Sequence, residues 1–446
     1  MDVAGWGRYP LSHSTVFRPE KISELAEVVS HSRSILPRGA GKAYGDAALN
    51  DERGLVLVER LNRMLAFDPP TGILRCEAGV TLAEVIDIFL PRGFFPPVTP
   101  GTKFVTLGGS IAADIHGKNH HRDGSLSEHI VSFALMLPSG EVRRCSRGEN
   151  ADLFWATVAG MGLTGVITEV EIRLTAVSSG WIAGEVLPTR DIDQAMEIFE
   201  SAESKYRYSV AWFDSLGTGK NLGRGFVDVG NFATAEELDR RRRQSPYVLP
   251  TAARADVPID LPGFLLNPLT VRAFNAFIYQ LHRRGRHGRL ASYDSFFYPL
   301  DAIGGWNRIY GARGFVQYQC VWPLKESRSG MVEVMEAIAK SRRPSFLTVL
   351  KKFGAQKGML SFPMPGYTLA LDFPVSDGLF EFLDSIDEMV LKRGGRVYLA
   401  KDARMRPETF RAMYPDHARW HAVKSEIDPD WRFSSSLSRR LQMESQ

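Results

Sequence analysis

Residues 100–121, PGTKFVTLGGSIAADIHGKNHH, set the tightest limit on how this chain folds. A Pro-Gly pair opens the segment, Gly108 and Gly109 follow, and Ser110, Ala112 and Ala113 keep the next turn narrow. Residues this small let a backbone approach a neighbour or a ligand closely, and free N–H groups at a turn or helix start hold phosphate. The segment then ends in His116, Lys118, Asn119, His120 and His121. Two readings stand side by side: a tight helix contact followed by a solvated loop, or a backbone cradle for an anionic cofactor.

A chain of 446 residues is long enough for two domains, each with its own core. The formal net charge of +4 makes no case for a nucleic-acid partner. The basic residues nevertheless cluster, at 240–243 (RRRR) and at 282–289 (HRRGRHGR). Each run is either a solvated face or a surface that meets phosphate or anionic lipid. Cys76, Cys145 and Cys320 lie far apart, so neither a disulfide framework nor a cysteine metal site is expected. The start MDVAGWGRYP does not read as a signal peptide, and no apolar run approaches the length of about 18 residues that spans a bilayer. A cytoplasmic chain, or one peripheral on the inner membrane, is expected.

The first 178 residues mix short strands and helices without regular βαβ alternation, which favours α+β. A strand at 35–37 leads into RGAGKAYGD (38–46), whose glycine spacing G-x-G-x-x-x-G departs from the dinucleotide fingerprint. Thr81 and Glu84 form a capping box for a helix through Leu90. Residues 131–137 and 141–145 flank Pro-Ser-Gly as a hairpin. AGMGLTG (159–165) is a second loop able to approach a ligand. Beyond residue 178 strands are expected near 206–213, 292–298, 314–322, 345–353 and 367–373, with helices around 191–201, 332–339 and 379–391. This is an antiparallel sheet with helices on one side. Alternation places Gln317 and Gln319 on one face of their strand and Lys351 on the face of Leu347 and Val349. Such a face is either a floor that binds something polar or an exposed edge. Residues 244–268, with five prolines, are expected to be a mobile loop.

Taken in order, RGAGKAYGD, VTLGGSIAADIHGKNHH and GMGLTG resemble the PCMH-type flavin-binding domain of the vanillyl-alcohol oxidase superfamily. DIHGKNHH (114–121), AWFD (211–214), WNRIYG (306–311), QYQ (317–319), SFP-PG (361–366) and AKD-R (400–404) are similar, over nearly the whole chain, to the decaprenylphosphoryl-β-D-ribose 2′-oxidase family. The resemblance implies a two-domain α+β flavoprotein. Residues 1–178 would form the FAD-binding domain and 179–394 an antiparallel-sheet substrate domain, with 395–446 returning to the first. It implies FAD-dependent oxidation of a ribose 2′-hydroxyl to a ketone on a polyprenyl-phosphate sugar lipid. An NAD(P)H-dependent short-chain reductase would complete the epimerisation.

The same resemblance implies roles for residues. Arg38, Gly39, Ala40, Gly41, Lys42, Ala43, Tyr44, Gly45 and Asp46 would form the first pyrophosphate loop. Tyr44 stands where several superfamily members carry a flavin-linking histidine, which implies non-covalent FAD. Gly101, Thr106, Leu107, Gly108 and Gly109 would continue the cradle, with Ala113, Asp114, Ile115, His116 and Gly117 passing near the flavin. Ile167 and Tyr398 would touch it from other segments. Lys401 and His116 are the candidates for the hydroxyl proton, and Trp212, Tyr310, Gln317, Gln319, Lys351 and Thr368 would line the sugar-phosphate pocket with Lys401. Ala370 replaces a cysteine usual in mycobacterial members, Thr368 an asparagine, Ala113 another cysteine and Lys42 an arginine. Two rival functions remain: an aldonolactone or alditol oxidase, disfavoured by Tyr44 and the basic runs, and a non-catalytic flavin-binding scaffold.

Overall fold

Apolar alternation sorts the first half of the chain into two small sheets. In the computed structural model, which describes residues 1–250 and 255–444, Thr15–Phe17 and Ile35–Arg38 pair in parallel with Gly54–Leu57. An antiparallel sheet follows in the order Val142–Cys145, Ile130–Met136, Val166–Arg173, Ile73–Glu77 and Met64–Asp68. The expected hairpin forms, with Val142 opposite Met136. So does the capping box: Thr81 Oγ1 accepts from Glu84 N at 3.2 Å, and Glu84 Oε2 accepts from Thr81 N at 2.7 Å. It starts the helix Leu82–Phe89. The short helix Leu107–Ala112 packs Leu107 and Ile111 into the core of this sheet beside Leu135 and Ile167.

The second half is one eight-stranded antiparallel sheet. Its order is Arg286–Ser292, Trp181–Thr189, Gly225–Phe232, Tyr208–Phe213, Thr348–Phe353, Gly366–Pro374, Phe315–Pro323 and Arg396–Val397. Helices Ile192–Ala202, Leu324–Ser341 and Leu379–Lys392 cover one face, burying Tyr318, Cys320, Leu350, Leu369 and Leu371 against Met331, Val334, Leu383 and Ile386. Because paired residues share a face, the register puts Gln317 beside Asp372, Gln319 beside Ala370 and Lys351 beside Thr368 on the opposite side. That polar side looks toward the first half of the chain. Fold class and the one-sided helical layer follow the α+β expectation.

Several elements depart from the sequence reading. The strand expected at 292–298 ends at Ser292, whose hydroxyl caps the helix Tyr293–Phe297 by accepting from Ser295 N. The aromatic residues there pack Phe296 and Phe297 against Tyr208 and Phe95, so tertiary burial overrides their strand preference. Strands Trp181–Thr189 and Gly225–Phe232 go unseen because Gly184, Pro188, Gly225 and Gly230 break the alternation. The helix expected at 332–339 begins eight residues earlier, at Leu324. A Cβ at Gly330 within it would lie 2.5 Å from the Trp322 indole nitrogen, so this glycine marks close packing. Of the expected mobile stretch 244–268, residues 251–254 lie outside the described residues. The rest is tied down: Tyr247 Oη donates to Val177 O at 3.0 Å, Ala255–Asp256 pairs with Ile303–Gly304, and Asp260 accepts two bonds from Arg8.

The C-terminal segment returns to the first half. Ile35 N donates to Arg432 O at 2.8 Å, and Trp420 Nε1 donates to Ala156 O at 2.9 Å. Arg440 donates to both carboxylate oxygens of Asp46 and to Asp402, each at 2.8 Å. Asp46 and Asp402 are buried, so a single guanidinium satisfies two desolvated anions. Removing one member of such a cluster leaves uncompensated charge. Arg440→Met should therefore lower stability by roughly 3 kcal/mol, read as the urea midpoint of the flavin-loaded protein, and Arg440→Lys should recover part of the loss.

Candidate active site

The first loop is built by close approach. A Cβ on Gly45 would lie 1.7 Å from the Asp402 carbonyl oxygen, and one on Gly39 would lie 2.1 Å from Thr106 Oγ1. Glycine at these two positions lets residues 38–46 wedge between the helix Leu107–Ala112 and the segment carrying Lys401. Tyr44 N donates to Ala400 O at 3.1 Å, and Ala43 O accepts from Trp6 N at 2.8 Å. Arg38 is turned inward: it donates to the carbonyls of Ala48 at 2.9 Å and Ala4 at 2.7 Å, beneath Gly41. Lys42 places its ammonium 3.9 Å over the Trp6 ring, and burial lowers its pKa. Asp46 is spent on Arg440. Arg38 and Asp46 thus shape the loop, and the backbone is left to face a ligand.

Thr106 caps the short helix by accepting from Gly109 N at 3.2 Å, while Gly108 N donates to Ala78 O. Ile167 lies under Gly108, and a Cβ on Gly101 would meet nothing within 4 Å. Ala113 O accepts from Tyr398 Oη at 2.6 Å. Ile115 N bonds back to Ser110 O, and Gly117 carries the chain on from His116. Asp114 Oδ2 accepts from Ser361 Oγ at 2.5 Å, and Ser127 also supports this buried carboxyl group. Burial pushes this carboxyl up to about 6.

His116 meets the polar sheet face. Gln319 Nε2 donates to His116 Nε2 at 2.9 Å and to Thr368 Oγ1 at 3.2 Å, and Thr368 in turn donates to Cys320 O. Because Gln319 offers an N–H, the imidazole accepts at Nε2 and carries its proton on Nδ1, which is buried without a protein partner. Phe353, Phe362 and Tyr398 box the ring in at centroid distances of 4.8, 5.6 and 5.1 Å. Burial, then Lys351, His120 and Lys401, hold its pKa well below the usual imidazole value.

Lys401 enters from the C-terminal segment with its ammonium 3.6 Å over the Tyr44 ring. Burial brings its pKa down to about 7, opposed by the charge of Asp372 and reinforced by Lys351. Lys351 itself is brought to about 8 by burial and Lys118. Asp372, absent from the sequence-derived candidates, is fully buried at the centre of this group: Oδ1 accepts from Gln317 Nε2 at 2.6 Å and Oδ2 from Tyr310 Oη at 3.0 Å. Burial raises its carboxyl to about 6. Alternation along 366–374 holds the signal that would have found it, since Thr368, Ala370 and Asp372 share one face. Trp212 stands further along that face, stacked on Phe226 at 5.7 Å.

The structure therefore brings together Tyr44, His116, Tyr310, Gln317, Gln319, Lys351, Thr368 and Lys401, and adds Asp372. A buried polar atom without a protein partner requires a bound group or water, and His116 Nδ1 is such an atom at the end of this cradle. A glycine-lined loop meeting this face fits a flavin dinucleotide, which the backbone of 39–45 would hold and residues 113–117 would flank, while the N–H groups of 107–109 are taken by Val80 O, Ala78 O and Thr106 Oγ1.

Comparison with known proteins agrees. Residues 14–146 match the family model described as an FAD binding domain, and FAD is the cofactor of this oxidoreductase. Decaprenylphosphoryl-beta-D-ribose oxidase of Mycolicibacterium smegmatis is 36% identical over 99% of this chain and 97% of its own. An uncharacterized protein of Streptomyces coelicolor is 34% identical over 81% of this chain and all of its own. L-gulonolactone oxidase of Mus musculus is 27% identical over only 38% of this chain and 39% of its own. By likeness over its whole length, this chain belongs to the decaprenylphosphoryl-β-D-ribose oxidase family.

Proposed function

We propose that the chain oxidises the ribose 2′-hydroxyl of a polyprenyl-phosphoryl-β-D-ribose to the 2′-ketone. The observation that carries this reading is Lys401, a buried amine with a pKa of about 7, set against Tyr44 beside a neutral His116. Oxidising a secondary alcohol removes a hydride from carbon and a proton from oxygen. FAD, when bound, supplies the hydride acceptor. Lys401 Nζ takes the proton, because an amine near pKa 7 is substantially neutral at working pH. The resulting ammonium is stabilised by Asp372, which Gln317 and Tyr310 hold in place. His116 is too weak a base for that task, and its Nδ1–H serves as an orienting donor. Lys351 is suited to the phosphate as a point charge, and Trp212 walls the pocket.

Tyr44 supports non-covalent FAD, since a phenol whose pKa is held well above its usual value by burial is a poor nucleophile. Among the described residues no helix is long and apolar enough to cross a membrane, so a lipid-borne substrate calls for peripheral association. The 2′-ketone product calls for a hydride donor, and a short-chain NAD(P)H-dependent reductase is the proposed partner.

Anaerobic farnesylphosphoryl ribose should bleach the flavin of the purified protein, and acid precipitation should leave the colour in the supernatant. Bleaching by an aldonolactone or alditol alone would instead select the rival oxidase, and no bleaching by any alcohol would select the scaffold. Lys401→Met should retain flavin and lose on the order of 10²–10⁴ in the rate of anaerobic reduction. For the wild type the reduction rate should climb as pH rises through about 7 and level off above it, because the neutral amine is the active form. Asp372→Asn removes the charge that favours the ammonium, so stopped-flow profiles should show that limb moving to lower pH.

A further inference from the structure

The helix Pro268–His282 carries apolar residues on its outer side as well as on its inner one. Val271 and Asn275 are buried beneath it, Asn275 Nδ2 donates to Asp214 Oδ1 at 2.7 Å, and Phe274 stacks on Phe346 at 4.6 Å. These contacts fix which way the helix faces. On the outer side Leu269, Phe277 and Leu281 are 77%, 65% and 51% exposed. Their spacing of eight and four residues puts them in one stripe. A surface helix ordinarily turns polar residues outward, so an outer stripe of this kind marks an interaction face.

The charge around the stripe says what that face meets. Residues 268–289 contain five arginines, two histidines and no aspartate or glutamate, so this one segment exceeds the formal +4 of the whole chain. Among the described residues, Arg289 is paired with Asp228 and His287 lies 3.5 Å from Glu185. Arg272, Arg283, Arg284 and Arg286 are exposed, and no described carboxylate pairs with them. The run at 240–243 behaves differently: Arg242 pairs with Asp239 and lies over the Trp181 ring, and Arg243 donates to the carbonyls of Ala235, Glu236 and Leu238. A second copy of this chain is a poor occupant, because two-fold pairing would bring the same cationic patch against itself. An apolar stripe flanked by free arginines matches an anionic bilayer surface, where Leu and Phe enter the acyl boundary and Arg meets phosphate.

The helix also borders the site. His282 stacks on Phe226 at 4.2 Å, Phe226 stacks on Trp212, and Leu266 at the helix entrance packs with Trp306 and Tyr310. We propose that the outer face of the helix Pro268–His282, together with Arg283, Arg284 and Arg286, docks on the headgroup layer of an anionic phospholipid membrane. Its position beside the pocket gains its meaning from the lipid-borne substrate proposed above, and the docking is measured separately from turnover.

The test is flotation of the flavin-loaded full chain with phosphatidylglycerol-containing vesicles and with pure phosphatidylcholine vesicles. Two double variants are compared, Phe277→Ser with Leu281→Ser and Arg283→Gln with Arg284→Gln. The wild type should float with the anionic vesicles, less so as salt rises, and each double variant should bind on the order of tenfold more weakly. Flavin absorbance and the rate with water-soluble farnesylphosphoryl ribose should stay unchanged, while the rate with vesicle-embedded long-chain substrate falls. Wild type that floats with neither vesicle, or variants that float like wild type, would overturn the proposal. So would a dimer in sedimentation velocity that the Phe277/Leu281 variant splits. If the protein binds anionic vesicles but no lipid sugar bleaches its flavin, the substrate reading fails and the docking surface stands.

Discussion

The ion cluster of Arg440, Asp46 and Asp402 holds together the parts of the chain on which the site depends. Burying three charges is costly unless each keeps its hydrogen bonds, and here one planar guanidinium serves a bidentate carboxylate and a second acid at once. The cluster ties the last helix to the end of the first glycine loop and to the residue after Lys401. Arg404, paired with Asp384 and Asp387, grips the same segment from the large-sheet side. Lys401 therefore stands on backbone held from two directions, and its contact with Tyr44 is a consequence of that anchoring.

Within the site, burial lowers the pKa of both bases, and Asp372 supports only the amine. Lys118, Lys351 and Lys401 each have their pKa lowered by burial, and Lys351 and Lys401 by a neighbouring lysine as well. Burial and the same lysines act on His116, which starts lower and ends far below neutrality. Asp372 attracts Lys401 and keeps it from falling as far. Environments that push two titratable groups apart suit them to different roles, which is the division of labour proposed for Lys401 and His116.

Much of this was legible in the chain. Glycine loops, the Thr81–Glu84 box and the alternation that puts Gln317 and Gln319 on one face are local patterns, and each has its counterpart in the structure. What stayed hidden depends on distant partners. The first turns of the helix from Leu324 pack Gly330 under the Trp322 indole, a contact no local pattern announces, and the aromatic residues after Ser292 read as strand until the core they enter is known. Arg38 and Asp46 look like cofactor ligands because they sit in the loop, but their side chains are taken up by Ala4, Ala48 and Arg440. Asp372 was missed for the opposite reason: one acid in an apolar strand says little until Gln317, Tyr310 and Lys401 converge on it.

The distribution of cations follows from the same distinction. In sequence the runs at 240–243 and 282–289 are equivalent, since both are short and basic. Structure separates them by what lies nearby: Asp239, the Trp181 ring and three carbonyls engage Arg242 and Arg243 of the first, whereas Arg283, Arg284 and Arg286 follow a helix with apolar residues on its outer side. The lysines of the pocket form a third class, buried and close to losing their charge. A cation held near its pKa can exchange a proton with a sugar hydroxyl, and a solvated arginine cannot. A solvated arginine keeps its charge at every working pH and so suits a phosphate surface. Burial thus separates cations whose charge is labile, such as Lys351 and Lys401, from exposed arginines that stay charged, while Arg404 and Arg440 spend their charge on buried carboxylates.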